Sequence, residues 1–393
     1  MSMASSEAAE ARRRAASTIG YYNLKLGPTA WNFGTGLGLD YNSNVYYTEA
    51  NPSADLIFRP QVNTRMLWPI SDQNSINLTL GGGYSAYINN PNLDRAFITP
   101  DSELSFDLYV GEFWINLHDR FSITEDTYQD PTVVGSGNYS QLQNALGVAT
   151  TWDLNQGIVR AGYDHVNYSS LSGGDTQNLG GQPSGYSEVF SASAGFALKP
   201  GMVLGLELGD SLINYTTTTT NTPYSNANQW NVGGFYDAPL TEYIRFTAHA
   251  GYSVYSPQGG GGTTASSDFS GIYAQLDVTH RVNEYVDYIL SGGRTVSVVF
   301  SGGTIDRYYA HWQANWKILR KVTLGTSFSY ERGSQVFVGS ETYDQYGPGI
   351  SLSRPLTAKL SSSLGYQLYW RDSNLSGRNY TLSVVSLNFN YVF

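Results

Sequence analysis

The chain has 393 residues, no cysteine and a formal net charge of −10, with 42 glycines, 31 tyrosines and only 14% charged residues against roughly 25% in soluble domains. The absence of cysteine excludes a disulfide-stapled fold and a cysteine-based zinc site, the acidic balance disfavours nucleic-acid binding, and 14% aromatic residues argue against disorder. No run of about 18 apolar residues occurs, so a helical membrane protein is excluded as well, and a large all-β chain remains.

The first 27 residues are predicted as a tail ahead of the main domain. Residues 1–18 are rich in Ala, Glu and Arg, and Arg12, Arg13 and Arg14 follow one another. A secretory signal needs an apolar core of about 7 to 15 residues, which residues 15–19 are too short and too polar to supply. We therefore expect a periplasmic tail or short helix over 1–27, no signal peptide in this sequence, and a single domain over 28–393.

Apolar and polar residues alternate along most of the remaining chain. The alternation is clear over 31–41, 76–85, 308–317 and 359–371. A period of two indicates strands whose two faces meet different surroundings, and no helical period of comparable length follows residue 20. The chain is predicted to be all-β.

The connections between these strands alternate between tight and long. Tight links are predicted near 153–156, 199–201, 238–242, 282–284, 319–320 and 354–357. Longer polar links are predicted near 89–101, 125–138, 171–184, 216–226, 257–267, 334–340 and 372–378. This pattern predicts an antiparallel up-and-down meander of about 18 strands (16–18), the first over 30–47 and the fourth over 102–110. An even strand number would place both termini in the periplasm.

The composition of the two strand faces favours a transmembrane barrel over a soluble sandwich or propeller. One face is apolar and carries Trp, Tyr or Phe near its ends, as the aromatic girdles of a membrane barrel do. The other face carries Gly, Ser, Asn, Gln and Thr with a scatter of charges, whereas a soluble domain would be rich in Lys and Glu there. We therefore expect the protein to lie in the outer membrane of a Gram-negative bacterium.

The C-terminus carries a more specific signal. Val385, Leu387, Phe389, Tyr391 and the terminal Phe393 occupy alternate positions, so they project to one face of a final strand. This resembles the terminal signature of outer-membrane proteins, which implies the barrel-assembly machinery as a partner during insertion. The alternative is an ordinary amphipathic edge strand that ends in Phe.

From about residue 27 to the end, the sequence resembles the porin-2 type of bacterial outer-membrane barrels. The family's opening hairpin has a Gly-x-x-Tyr-x-x-Asn-Val strand followed by an Asp-x-Ile/Phe-x-x-x-Pro strand. In this sequence those positions fall on Gly38, Tyr41, Asn44, Val45, Asp55, Ile57 or Phe58, and Pro60. The resemblance implies a membrane barrel, and relatives near exopolysaccharide export systems imply export proteins as one kind of partner.

Function is expected in the lumen of the barrel, because 16 to 18 strands leave room for an aqueous channel. The lumen-lining candidates are Arg59, Arg65, Asp107, His118, Arg120, Glu207, Asp237, Arg245, His249, Asp277, Gln313, Lys317, Glu331, Gln367 and Arg371. Lys321 and Lys359 are assigned to the same face, as is His311. The mixture of signs suits either a transverse field across a pore or a bore filled by ion pairs.

Tyrosines are candidates for a track on which sugar rings stack. They are Tyr109, Tyr243, Tyr273, Tyr309 and Tyr369. A shift of one residue in register would instead make them girdle or packing residues. The histidines lack zinc-site spacing, no catalytic pair stands out, and we expect no metal, no cofactor and no enzymatic activity.

Three functions compete at this point. The first is a porin-like channel for small polar solutes, which an inward-folded loop would favour. The second is a conduit for exopolysaccharide secretion, and the third is a closed structural or adhesive barrel. Expected partners are outer-membrane lipid and lipopolysaccharide, with export proteins or a homo-oligomer as further candidates and no nucleic acid.

Overall fold

The computed structural model describes residues 22–71, 73–124, 140–171, 184–216, 226–258, 268–299, 303–335 and 341–393. Nearly all of them lie in one antiparallel sheet. The strands are β1 (Leu24–Leu26), β2 (Thr29–Asn42), β3 (Asp55–Pro69), β4 (Ser75–Tyr87), β5 (Arg95–Ile98), β6 (Glu103–Val110), β7 (Phe113–Thr124), β8 (Gln141–Asp153), β9 (Gly157–Ser170), β10 (Gly185–Lys199), β11 (Met202–Tyr215), β12 (Asn226–Pro239), β13 (Ile244–Gln258), β14 (Phe269–Arg281), β15 (Val286–Val299), β16 (Gly303–Leu319), β17 (Val322–Gln335), β18 (Thr342–Pro355), β19 (Leu360–Ser373) and β20 (Tyr380–Val392). Within these ranges the one helical turn is Pro91–Leu93, and no helix is long and apolar enough to cross a membrane.

The sheet closes into a barrel because β2 pairs with β20. β5 and β6 are two parts of one wall strand, since both pair with β4, at Gly82↔Ile98 and at Thr79↔Glu103. The wall therefore has 18 strands, which confirms the predicted barrel. β1 stands outside this count as a short hairpin partner of β2, within the segment predicted as a tail.

The fourth wall strand is broken where the sequence predicted a loop running up to its start. Residues 99–102 form a turn in which the Ser102 amide donates to the Thr99 carbonyl at 3.0 Å. The Ser102 hydroxyl accepts from the Gly81 amide of β4 at 3.1 Å, so the turn stays attached to the wall. The first part of this strand, β5, thus lies within the segment predicted as a loop near 89–101.

The connections between strands lie at two different rims of the barrel. At the short-turn rim the connections are brief, and Gly111 and Gly201 adopt positive φ there, as two-residue turns require. Four other turns at this rim close through a Ser, Thr or Asn side chain that accepts from backbone amides two or three residues ahead. These side chains belong to Ser71, Thr241, Asn283 and Thr357.

At the opposite, long-loop rim, the first strand ends earlier than predicted. β2 stops at Asn42 because the Asn42 side chain accepts from the Asn44 amide and the Asn44 side chain accepts from the Thr48 amide. Asn and Asp side chains compete with the ladder in this way and end strands. The loops predicted near 125–138, 171–184, 216–226, 257–267 and 334–340 lie largely outside the described residues, as do residues 1–18.

Alternation along the strands assigns each residue to the lumen or to the outside. Large apolar side chains such as Val62, Leu206 and Ile272 are exposed on one face. The polar side chains of the other face reach one another across strands: the Tyr273 hydroxyl of β14 donates to Glu207 of β11 at 2.7 Å, over two intervening strands. Only the concave interior permits such a contact, so the polar face lines the lumen and the apolar face lies outside.

Candidate functional site

The strand register places every lumen-lining candidate of the sequence on the lumen face. They fall on β3, β6, β7, β11, β12, β13, β14, β16, β17 and β19. His311 also faces the lumen, opposite Ser329. Lys321 and Lys359 instead lie in short turns, and His165 and His280 lie on the outer face.

The charged lumen residues mostly lie in pairs along the wall. Arg120 donates to Glu103 at 2.8 Å and Arg245 donates to Asp237 at 2.5 Å, each between neighbouring strands. Arg59 lies 3.4 Å from Asp40, and Arg307 lies 3.4 Å from Glu331. Pairing along the wall draws these side chains away from the axis, and the sequence did not identify Asp40, Glu103 or Arg307 as partners.

Glu207 occupies a different setting near the middle of the lumen. Its carboxylate accepts from the Tyr273 hydroxyl at 2.7 Å and lies 2.8 Å from Nδ1 of His249. Neither contact is with an Arg or Lys. The arrangement places a carboxylate at mid-height of the lumen, where hydrogen bonds with these two side chains hold it.

A second histidine–carboxylate contact lies on β7 to β9. His118 is 4% exposed, with Nε2 at 2.7 Å from Asp164 and Nδ1 at 2.8 Å from the Asn116 side-chain oxygen. The pair spans β8 over Gly147, where an added Cβ would lie 2.6 Å from Nε2 of His118. Gly147 therefore provides the space in which the pair lies flat against the wall.

The same arrangement recurs around the lumen. A Cβ at Gly36 would lie 2.5 Å from the Gln61 amide, one at Gly209 would lie 2.3 Å from the Asn231 side-chain oxygen, and one at Gly333 would lie 2.3 Å from the Tyr343 ring. In each case a long polar side chain from the neighbouring strand rests on the glycine. These side chains therefore lie against the wall.

At the long-loop rim, Glu341 lies at the centre of a charge cluster in which its own side chain and that of Arg371 are fully buried. Its carboxylate accepts from Arg371 at 2.7 Å and from the Ser373 hydroxyl at 2.7 Å, and it lies 2.9 Å from Nε of Arg378. The Arg371 guanidinium also covers the Tyr343 ring, 3.6 Å from its centre. Of this cluster, the sequence identified only Arg371, because Glu341 precedes β18 and has no strand register to follow.

Asn44 and Asp55, two positions of the family-like opening hairpin, organise the first two loops of this rim. Asp55 is 1% exposed and accepts from the backbone and side-chain amides of Asn89 and Asn90. Asn44 is equally buried and closes its own loop through Thr48. These residues hold the structure of the loops, and their side chains are buried there.

Beyond Arg294, the β15–β16 hairpin leaves the wall. β14 stays paired with β13 as far as Phe269, but its pairing with β15 stops at Ala274↔Arg294. A Cβ on the lumen-facing Gly271 would lie 3.3 Å from the Arg294 guanidinium, so that guanidinium covers the lumen side of β14. We name residues 294–299 and 303–306 the inner hairpin, because they lean across the lumen face of β14.

Two sets of contacts hold the inner hairpin in place. Within it, Arg294 makes two hydrogen bonds to Asp306, at 2.8 and 2.9 Å. To the wall, the side-chain amide of Gln229 on β12 donates to the Val296 carbonyl at 3.1 Å. Val296 is 8% exposed although its register is that of an outward residue, as expected for a strand that has folded inward.

The outer face carries the residues of the C-terminal signature. Val385, Leu387, Phe389 and Tyr391 share the outward side of β20, and the Phe393 amide donates to the Phe33 carbonyl at 3.2 Å. Recognition of these residues by the barrel-assembly machinery stays a prediction. Among the described residues, no group of three or more His, Asp or Glu side chains is arranged to hold a metal ion.

Comparisons with known proteins agree with this architecture. A family described as putative beta-barrel porin 2 matches residues 34–392. The fold is similar to that of Pseudomonas aeruginosa OccK2 (OpdF), at 11% identity and a TM-score of 0.53, covering 94% of this chain and 98% of that one. It is also similar to Acinetobacter baumannii OccAB3, at 9% identity and a TM-score of 0.51, covering 94% and 100%.

A third similar structure is the outer membrane protein OpdK of Pseudomonas aeruginosa, at 12% identity and a TM-score of 0.50, covering 92% of this chain and 99% of that one. OccK2 has been solved in complex with glucuronate and OpdK with vanillate. No curated protein sequence matches the chain significantly. At identities of 9 to 12%, these similarities show a shared fold and nothing further.

Proposed function

The chain belongs to the putative beta-barrel porin 2 family of bacterial outer-membrane proteins, and we propose that it forms a water-filled channel through which small polar solutes diffuse. Barrels of 16 to 18 strands are wide enough for an aqueous channel. The observation that carries the proposal is the arrangement of lumen side chains along the wall. Ion pairs between neighbouring strands and amides resting on glycines hold polar side chains against the wall, and this supports an open bore.

The inner hairpin supports a diffusion channel over a closed structural barrel. A segment folded against one side of the bore narrows the bore, as the inward-folded loop of a diffusion channel does, and the charges of both signs on the surrounding wall set up a transverse field. The similar proteins OccK2 and OpdK were solved with glucuronate and vanillate, which are small polar molecules. Solutes of that size are the class proposed for this chain.

We further propose the orientation and surroundings of the barrel. The short-turn rim and both termini face the periplasm, as in single-chain barrels with short periplasmic turns. The outer apolar belt contacts lipid, and the long-loop rim contacts lipopolysaccharide. Since catalysis is not part of the proposal, no cofactor, metal or nucleic acid is required.

Planar-bilayer conductance of the purified barrel tests the proposal. Insertion of folded protein should give discrete, ohmic current steps that are absent with heat-denatured protein at the same concentration. Glu207→Gln should lower the preference for cations over anions, measured as a reversal potential in a salt gradient, because it removes a mid-bore negative charge. Absence of current steps from folded protein would overturn the channel.

A further inference from the structure

One sector of the lumen wall carries no charge. On five adjacent strands, β17 to β20 and β2, the lumen positions within 323–329, 345–353, 361–369, 380–392 and 30–38 include no Asp, Glu, Lys, Arg or His. The sector is bounded by Lys317 on β16 and by Arg59 and Arg65 on β3. The charged lumen residues lie on the remaining strands and at the long-loop rim.

A recess of about 200 Å³ opens in this uncharged sector and extends to β16. The polar residues of its lining that face the lumen carry amides and hydroxyls; they are Gln313, Asn315, Ser327, Ser351, Gln367 and Ser386, and Val384 is the apolar one. Gly325 and Gly365 form part of its floor, and a Cβ at Gly365 would meet nothing closer than 3.9 Å. The wall is therefore concave here because side chains are missing.

An aromatic ring lies beside the recess on the same face. Tyr369 is two residues beyond Gln367 on β19, and its ring lies 3.1 Å from the position of a Cβ on Gly347. The ring rests against the wall over that glycine and stays partly exposed. Flat aromatic rings beside amides and hydroxyls suit a ligand with both apolar C–H faces and hydroxyl groups.

The chemistry of the recess discriminates between neutral and charged solutes. Amide and hydroxyl groups both donate and accept, so they can replace the water around a hydroxyl-rich solute bond for bond. An ionic solute would find no counter-charge there and would lose hydration without compensation. Ionic solutes are instead attracted to the opposite, charged sector.

We propose that this recess is a subsite for neutral saccharides, where a sugar ring binds transiently on its way through the bore. The inference rests on the proposed channel and names the solute class that the uncharged sector favours. The Gln313 and Gln367 amides bind the sugar hydroxyls, and Tyr369 contacts a sugar face. Binding is weak, as passage requires.

The test is sugar-induced interruption of the ion current in planar bilayers. Maltotriose should interrupt the current of the unaltered barrel in a concentration-dependent way, whereas gluconate should not. Gly365→Leu, which fills the recess at a position with room for a side chain, should lower the apparent maltotriose affinity by about tenfold or more. Ser191→Leu, which adds a side chain of the same size at a lumen position of β10 on the opposite wall, should change this affinity less than about twofold.

The outcomes separate this inference from the channel itself. If current steps occur but maltotriose and gluconate behave alike, or if both leucine variants lose the interruptions equally, the saccharide subsite is wrong while the channel stands. If no current steps occur, the channel proposal fails first. Heat-modifiability of each variant on a gel checks that it has folded before its current is compared.

Discussion

The side-chain amide of Gln229, on β12, donates to the main-chain carbonyl of Val296, on β15, at 3.1 Å, with β13 and β14 between them in the order of the sheet. Neighbouring strands are about 4.8 Å apart, so a glutamine could not cover this distance along an intact wall. The contact exists because the inner hairpin has left the wall and come to the glutamine. Gln229 thus satisfies a carbonyl that has lost its β14 partner.

Removing this amide should loosen the inner hairpin. Gln229→Ala leaves the Val296 carbonyl without its donor, at a cost of about 1 kcal/mol. We expect a larger single-channel conductance with more current noise in planar bilayers. Gln143→Ala on β8, which also removes a lumen amide, should leave both quantities unchanged, and an equal effect of the two variants would contradict the role of the contact.

Gly147 should be intolerant of a side chain. A Cβ there would lie 2.6 Å from His118 and 2.7 Å from the Tyr163 carbonyl, and the backbone carbonyl cannot rotate away. Gly147→Val should therefore lower stability by about 1 to 3 kcal/mol, measured as a lower temperature at which the folded band is lost on a gel. Gly365→Val, where the space is open, should keep the temperature of the unaltered protein.

Glu341 should contribute far more to the stability of the folded protein than an exposed carboxylate in a similar ion pair. Glu341→Gln leaves the fully buried Arg371 without its counter-charge, and such a loss costs about 3 to 5 kcal/mol. Glu103→Gln breaks the pair with the half-exposed Arg120, which is worth about 0 to 1 kcal/mol. Hydrogen exchange of residues 371–380 should accelerate strongly in the first variant only; similar exchange in both would contradict the importance of burial.

The contact between the first and last loops of the long-loop rim should depend on pH. Hydrogen bonds from the Asn379 side chain and the Gly377 amide hold the pKa of the Glu49 carboxyl below its ordinary value of 4.5. Because this pKa is lowered, the stabilisation that the ionised Glu49 carboxylate gives to the loop contact is fully present above pH 4.5. It is lost as the pH falls below that value. Protection of the Gly377 amide from exchange, corrected for intrinsic rates, should fall over that interval.

Glu49→Gln provides the control for this pH dependence. It has no carboxyl to titrate, so protection of the Gly377 amide should be independent of pH in the same range. A fall in protection that persists in the variant would assign the effect to another group.

The alternation of faces can be tested directly because the chain lacks cysteine. Single cysteines at the lumen positions Ser327, Ser351 and Ser386 should react with a membrane-impermeant thiol reagent in reconstituted protein. Cysteines at the outward positions Thr326 and Ile350 should react slowly or not at all. Equal reactivity at positions 350 and 351 would contradict the register.

The sequence predicts the barrel and its faces because the information is local. Between Trp31 and Tyr41 each residue alternates, and a period of two needs no knowledge of neighbouring strands. The same alternation puts Arg59 and Gln367 on the lumen face before any pairing is known. The resemblance in the opening hairpin adds the family, although Asn44 and Asp55 turn out to hold loops.

What the sequence could not supply depends on contacts between distant segments. Glu341 lies outside any alternating stretch, so nothing local connects it with Arg371 or Arg378. The departure of the inner hairpin leaves only a weak local sign, since Arg294 pairs with Ala274 at an outward position where an apolar residue is expected. The sequence did not predict the break at 99–102 either, because a turn inside a strand has the same local composition as the end of a loop. Only the hydrogen bond between Ser102 and Gly81 shows that the turn belongs to the wall.

The glycines beneath the lumen amides give this barrel a way to change its bore without changing its strand number. Each of these glycines leaves a space that a side chain of the neighbouring strand occupies. A side chain added at Gly36 or Gly209 would push the neighbouring amide toward the axis. One codon at such a position would therefore alter the size and hydrogen bonding of the passage while the lipid-facing surface stayed the same.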